Sequence, residues 1–154
     1  VVPLAALESA RCPPPAPDPD AHAVLPYLEI PPAARPTSAL DIELQVCIGR
    51  EASLSSGGWE ETVCRSNARA LYWTVDQMVA HHTVSGCALR PGDLLASGTI
   101  SGAAPAARGS MLELSWRGEQ PLPMPDGTSR SWIDDGDVVT LRATARGRAG
   151  ATIG

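Results

Sequence analysis

No apolar run in the chain approaches the roughly 20 residues that a membrane span needs, and the opening stretch VVPLAALESA lacks the basic n-region of a secretory signal. Arginine is scattered singly along a chain of net charge −5, so no basic stripe exists for a phosphate backbone and nucleic-acid binding is not expected. The cysteines Cys12, Cys47, Cys64 and Cys87 form no CxxC pair, which argues against a zinc knuckle and against a redox dithiol. They read as reduced thiols of a cytoplasmic protein, with Cys47 and Cys64 as small apolar residues on strand faces. GxSxG, HExxH, a Walker loop and GxGxxG are also missing, which removes the commonest hydrolase, zinc-protease and nucleotide-binding signatures.

What is present fits one core. At 154 residues the chain has the length of a single domain, and its 14 glycines and 15 prolines interrupt it too often for long helices. The segment 11–36, RCPPPAPDPDAHAVLPYLEIPPAARP, carries most of the proline and reads as a surface connector. In TSALDIELQVCI, Leu40, Ile42, Leu44 and Val46 alternate with polar residues, the period of a half-buried strand. GREASLSSGG then turns the chain and WEETVCRS returns it. Ser66 offers an N-cap to one principal helix, whose apolar face would be Leu71, Val75, Met78, Val79 and His82, with Gly86 as the stop. Strands are expected again over DLLASGTI, GSMLELSWRG and VVTLRATARG, with PDG and DDGD as turns. This pattern predicts an α+β, β-rich domain built on a curled sheet.

Four places invite a chemical reading. Thr99 and Ser101 lie between Gly98 and Gly102, where glycine lets a backbone approach a ligand closely and a small hydroxyl can donate to an anion; an ordinary polar turn is the alternative. Read as a strand, GSMLELSW sets Glu113 opposite Leu112, Leu114 and Trp116, either solvated or aimed into a cleft. His81 and His82, as neighbours on a helix, point to different faces and cannot chelate one metal, so one packed and one exposed ring are expected. Asp134, Asp135 and Asp137 lack the ligand spacing of a calcium loop and read as a hairpin turn.

The stretches YWTVDQMVAHHTVSGCALRPGDLLASGTISG and GSMLELSWRG, with LPYL, CRSN and DDGDVV, closely resemble the fumarylacetoacetate hydrolase family over nearly the whole chain. The wider superfamily tends to read GTPxG at the turn, whereas GTISG together with HHTVSGC is similar to the branch that hydrolyses fumarylacetoacetate itself. The resemblance implies that residues 1–154 are the C-terminal part of a catalytic domain, a piece of a mixed β-sandwich roll, with an N-terminal domain and the first part of the catalytic domain absent. It also implies hydrolysis of a carbon–carbon bond in a small diketo diacid, 4-fumarylacetoacetate, to fumarate and acetoacetate, the last step of tyrosine breakdown. In that chemistry a calcium or magnesium ion polarises the diketo oxygens while a histidine activates water. Both the acidic metal ligands and that histidine would come from before Val1, since His22 does not match the family's histidine. Two family roles fall on residues present: Thr99 as the threonine that binds a substrate carboxylate, and Glu113 as the glutamate bonded to the catalytic histidine. The ending GRAGATIG resembles a final glycine-rich strand that normally continues. A cytoplasmic homodimer is the family expectation, and the chain alone is expected to be inactive. The alternatives are a related diketo-acid hydrolase or decarboxylase, and a non-catalytic fragment or remnant that contributes sheet and dimer surface.

Overall fold

A computed structural model describes residues 2–50, 59–146 and 152–153. The expected turn at 49–58 falls mostly outside that range, but the two strands it joins are present. Strand β3, Ile42–Arg50, and strand β4, Glu60–Asn67, pair antiparallel. They are preceded by the two-residue strands β1, Arg11–Cys12, and β2, Ala39–Leu40, which pair with each other. The alternating run that predicts one strand from Leu40 is therefore broken at Asp41, whose amide donates to the Ala10 carbonyl at 2.7 Å. Between β1 and β2 the proline-rich segment makes only short 3-10 turns, Pro26–Leu28 and Arg35–Thr37, as its missing N–H donors require.

The principal helix, α1, spans Val75–Thr83. It begins eight residues later than the Ser66 cap would place it, because Thr74 and Gln77 form a reciprocal capping box while Ser66 still belongs to β4. Gln77 also reaches across to the Leu28 carbonyl at 2.8 Å, which anchors the connector to the helix. Gly86, at φ +87°, follows the last turn as expected. The histidine expectation is corrected: both His81 and His82 are exposed, and His81 is held by stacking on Tyr27 and by a 3.0 Å contact to its hydroxyl.

After α1 the structure departs from the sequence reading twice. DLLASGTI is not a strand: Leu94 is 94% exposed, Asp93 caps its own turn by accepting from the Arg90 amide, and Gly98 at φ +72° breaks any extension. Nor is GSMLELSW a strand. It forms the short helix α2, Met111–Leu114, capped by Ser110. The later elements are a small hairpin, β5 Leu122–Pro123 with β6 Ser129–Arg130, then β7, Asp137–Arg146, and β8, Thr152–Ile153. The main sheet is antiparallel in the order β4-β3-β7-β8, with β3 paired along its whole length to β7 from Ile42↔Ala145 to Arg50↔Asp137. The architecture is α+β and β-rich with one principal helix, the class expected from the sequence.

The core explains α2. Ile48, Val63 and Met124 are buried together, and Met111 and Leu114, one turn apart, pack on them from the helix, with Leu122 from the hairpin. Strand alternation would instead have turned Leu112 and Trp116 inward; both are exposed. On β4 the register slips between Val46↔Cys64 and Cys47↔Thr62, a bulge at Val63 that lets Val63 and Cys64 both be buried. Cys47 and Cys64 are free, buried strand residues, as expected, and Cys47 also accepts from Arg142 at 3.0 Å.

The exit from α2 is strained. Trp116 at φ 48°, Arg117 at φ 60° and Gly118 at φ 91° form a left-handed run that costs about 1–2 kcal/mol at each of the two non-glycine positions. Ser115 holds it: fully buried, its hydroxyl donates to the Met111 carbonyl at 2.7 Å and accepts from the Gly118 amide at 2.9 Å. Ser115→Ala is expected to lower unfolding free energy by about 1–3 kcal/mol, the cost of leaving buried groups unpaired. A urea midpoint unchanged from the parent would show that the run holds itself.

Candidate active site

The chain from Gly98 to Gly109 folds over the start of α2. Its return is closed by the Gly102 amide, which donates to the Ala107 carbonyl at 2.8 Å. Gly109 must be glycine for the two limbs to touch, since a Cβ there would stand 2.7 Å from the Ile100 carbonyl oxygen and 2.8 Å from the Thr99 methyl. The contact sets the limb that carries Thr99 and Ser101 against the residue two before Met111, where the helix that carries Glu113 begins. Thr99 is exposed at the turn, and among the described residues no group hydrogen-bonds its hydroxyl.

Ser101 has a different task from the one its position suggests. Its hydroxyl donates to Glu113 Oε2 at 2.8 Å and accepts from the Gly109 amide at 3.0 Å. The turn does hold an anion through Ser101, but the anion is the protein's own. Ser110 donates to the same Oε2 at 2.8 Å, while its oxygen also receives the Glu113 amide at 3.4 Å. Glu113 is thus neither a solvated strand residue nor opposite a greasy strand face. It is half-buried at the third position of α2, fixed by two serines.

These bonds set its charge state. The Ser101 hydroxyl first, then that of Ser110, favour the ionised form, and the Arg108 cation adds to them, so the carboxyl titrates below the ordinary glutamate range despite a partial loss of water. Glu113 is therefore a charged acceptor at neutral pH. Arg108 is itself held with its guanidinium 4.8 Å over the Trp116 ring, and donates to the Glu113 carbonyl at 3.4 Å. On the β4 side Cys64 faces the same charge; burial, then Glu113, pushes its thiol up.

Thr99 and Ile100 also line a cleft of about 270 Å³ together with Val46 of β3 and Leu141 of β7. Ser66 lines this cleft too, and its buried hydroxyl has no hydrogen-bond partner among the described residues. Sequence reasoning read Ser66 as a helix cap and passed over Ser110. For Ser110 a signal existed, the S-x-x-E pattern of a helix start in SMLE.

The Asp137 side chain is fully buried, with Arg130 on both oxygens at 2.9 and 3.3 Å and Arg50 at 3.3 Å. Gly136 turns the chain ahead of it, so DDGD is a turn locked by ion pairs. Among the described residues, no group of three or more His, Cys, Asp or Glu side chains is placed to hold a metal ion. No helix among them is long and apolar enough to cross a membrane.

Residues 19–154 match the family model described as fumarylacetoacetate (FAA) hydrolase C-terminal. The chain is 42% identical over 149 residues to the fumarylacetoacetase of Arabidopsis thaliana and 43% identical over 147 residues to that of Homo sapiens; each match takes in 96% of this chain and 32% of the relative. A Caenorhabditis elegans fumarylacetoacetase is 50% identical over 102 residues, 66% of this chain and 23% of the relative. The chain thus spans about a third of the length of the curated relatives it matches most fully. A site held by a glycine-pinned turn and a serine-bound glutamate accordingly lies within the matched region, and the chain belongs to the fumarylacetoacetate hydrolase family, as its C-terminal part.

Proposed function

We propose that this chain supplies the C-terminal portion of the catalytic domain of a hydrolase that cleaves the carbon–carbon bond of 4-fumarylacetoacetate to fumarate and acetoacetate. The observation that carries the reading is an exposed Thr99 hydroxyl, with no hydrogen-bond partner among the described residues, on the same turn whose Ser101 holds an ionised Glu113. Thr99 donates its hydroxyl to one carboxylate of the diketo diacid. Glu113 accepts the N–H of an imidazole contributed from outside this chain, fixes its tautomer and stabilises the imidazolium that forms as water is deprotonated. A cytoplasmic homodimer belongs to the same reading.

A divalent cation, calcium or magnesium, is part of the proposal with ligands from outside the chain. The described residues do not fit one by themselves: they carry no such ligand group, and the carboxylate in DDGD that is buried is occupied by two arginines. The chemistry assigned to this chain is that of Thr99 and Glu113.

Thr99→Val in the full-length protein tests the reading. It removes a hydroxyl bond to a charged group, worth about 1.5–3 kcal/mol, so kcat/KM for fumarylacetoacetate should fall by about 10- to 150-fold. An unchanged value would reduce the turn to a structural element.

A further inference from the structure

We propose that Ser101 is a positioning residue of this site: it grips Glu113 by one carboxylate oxygen and ties it to the turn that carries Thr99, leaving the other oxygen to face the imidazole. The inference rests on the roles proposed above for Glu113 and Thr99.

The distribution of bonds carries it. Both serine hydroxyls converge on Oε2, each at 2.8 Å, and neither bonds Oε1. A carboxylate held by one oxygen has its plane and its second oxygen fixed, which is what a partner needs in order to keep an imidazole in one orientation. Ser101 and Ser110 are not equivalent in this. Ser110 caps α2, so its loss disturbs the helix. Ser101 lies 12 residues before Glu113 and caps nothing; its oxygen takes the Gly109 amide and its proton goes to the carboxylate. With its one proton given to Glu113, the Ser101 hydroxyl has none left to donate to a substrate carboxylate. It couples the substrate-facing limb to the carboxylate through the point where Gly109 touches Ile100.

The charged and titratable groups facing Glu113 are Arg108 ahead of α2 and Cys64 on β4. The Cys64 thiol, pushed up by burial and by Glu113 itself, stays neutral through the acid range. The Ser101 hydroxyl is the first of the groups that favour the ionised carboxylate, ahead of Ser110, so an acid limb in the pH profile that reports this carboxylate is open to movement by substitution at Ser101. Removing a donor to the ionised form raises the carboxyl's pKa, so activity that needs the carboxylate is lost at a higher pH.

The test uses the full-length protein with Ser101→Ala, Ser101→Cys and Ser101→Thr. Ser101→Ala should lower kcat about 10-fold, with KM changed less than about twofold, and move the acid limb of kcat upward. Ser101→Cys, which keeps a similar volume but donates weakly, should move the limb in the same direction by less. Ser101→Thr, which keeps the hydroxyl, should restore the wild-type limb. Should the alanine protein fail to fold, the cysteine and threonine pair still decides. Folded Ala or Cys variants with wild-type kcat and an unmoved limb overturn the inference. If Glu113→Gln is nevertheless crippled, the reading of Glu113 survives that result; if Glu113→Gln is also fully active, both fall.

Discussion

Glu113→Gln in the full-length protein is expected to reduce turnover by about 10²- to 10⁴-fold, the span that general acid–base catalysis supplies, with folding close to normal. The structure sharpens why an isosteric amide should be so damaging. Ser101 and Ser110 donate to Oε2, so the amide oxygen settles there and the NH2 takes the place of Oε1. On the role proposed for Glu113, the group facing the imidazole then offers a donor where an acceptor is required, and the ring is driven to the wrong tautomer. Single-turnover kinetics beside thermal unfolding separates this from a folding defect. A stable Glu113→Gln protein with wild-type turnover would remove Glu113 from the mechanism.

Asp137→Ala is the substitution expected to cost most in stability, about 3–5 kcal/mol, because it leaves an uncompensated buried charge. The Asp137 side chain is 0% exposed and that of Arg130 only 5%; the carboxylate also receives the Asp134 amide at 3.0 Å. Its bonds from Arg130, first, and the charges of Arg130 and Arg50 hold its carboxyl below the ordinary aspartate range. A depressed folded-state pKa contributes stability that is fully present above the unfolded value of about 4 and is lost as pH falls through the folded value. Urea unfolding should therefore show a wide gap between parent and variant at neutral pH that narrows in acid below about pH 4. A gap under about 1 kcal/mol at neutral pH, typical of an exposed pair, would mean that the cluster is not functioning as a buried one.

The strands were legible where a local pattern and a partner agreed. Leu44 and Val46 alternate as a strand does, and β7 is a β-rich run that closes on β3 over nine residue pairs from Ile42 to Arg50. LELSW also alternates, yet it is helical, since the capping pattern SMLE starts a turn and the core at Ile48 and Met124 accepts Met111 and Leu114 at helical spacing. Periodicity over so short a run does not separate the two states. DLLASGTI fails for the converse reason: its residues suit extension, but Gly92 and Gly98 at positive φ and the Asp93 turn leave no ladder to join. At the site, Thr99 and Glu113 were reached through resemblance to the family. The role of Ser101 depends on a contact spanning 12 residues and on space available only at Gly109, neither of which a local pattern encodes. Likewise, no spacing rule singles out Asp137 from its neighbours, although burial and two guanidiniums make it a lock.

The four-residue helix that carries Glu113 also packs the domain's central hydrophobic cluster, with Met111 and Leu114 set against Ile48, Val63 and Met124. On the role proposed for Glu113, fold maintenance and chemistry share a single turn of backbone. Selection on one cannot act independently of the other: a bulkier residue at Ile48 or a smaller one at Met124 would tilt the helix axis and carry the carboxylate with it. Adaptation of such a protein to heat or cold has little freedom here. Compensating changes are more accessible on surfaces remote from this turn, such as the solvent side of the principal helix, where added stability leaves the angle of Glu113 untouched.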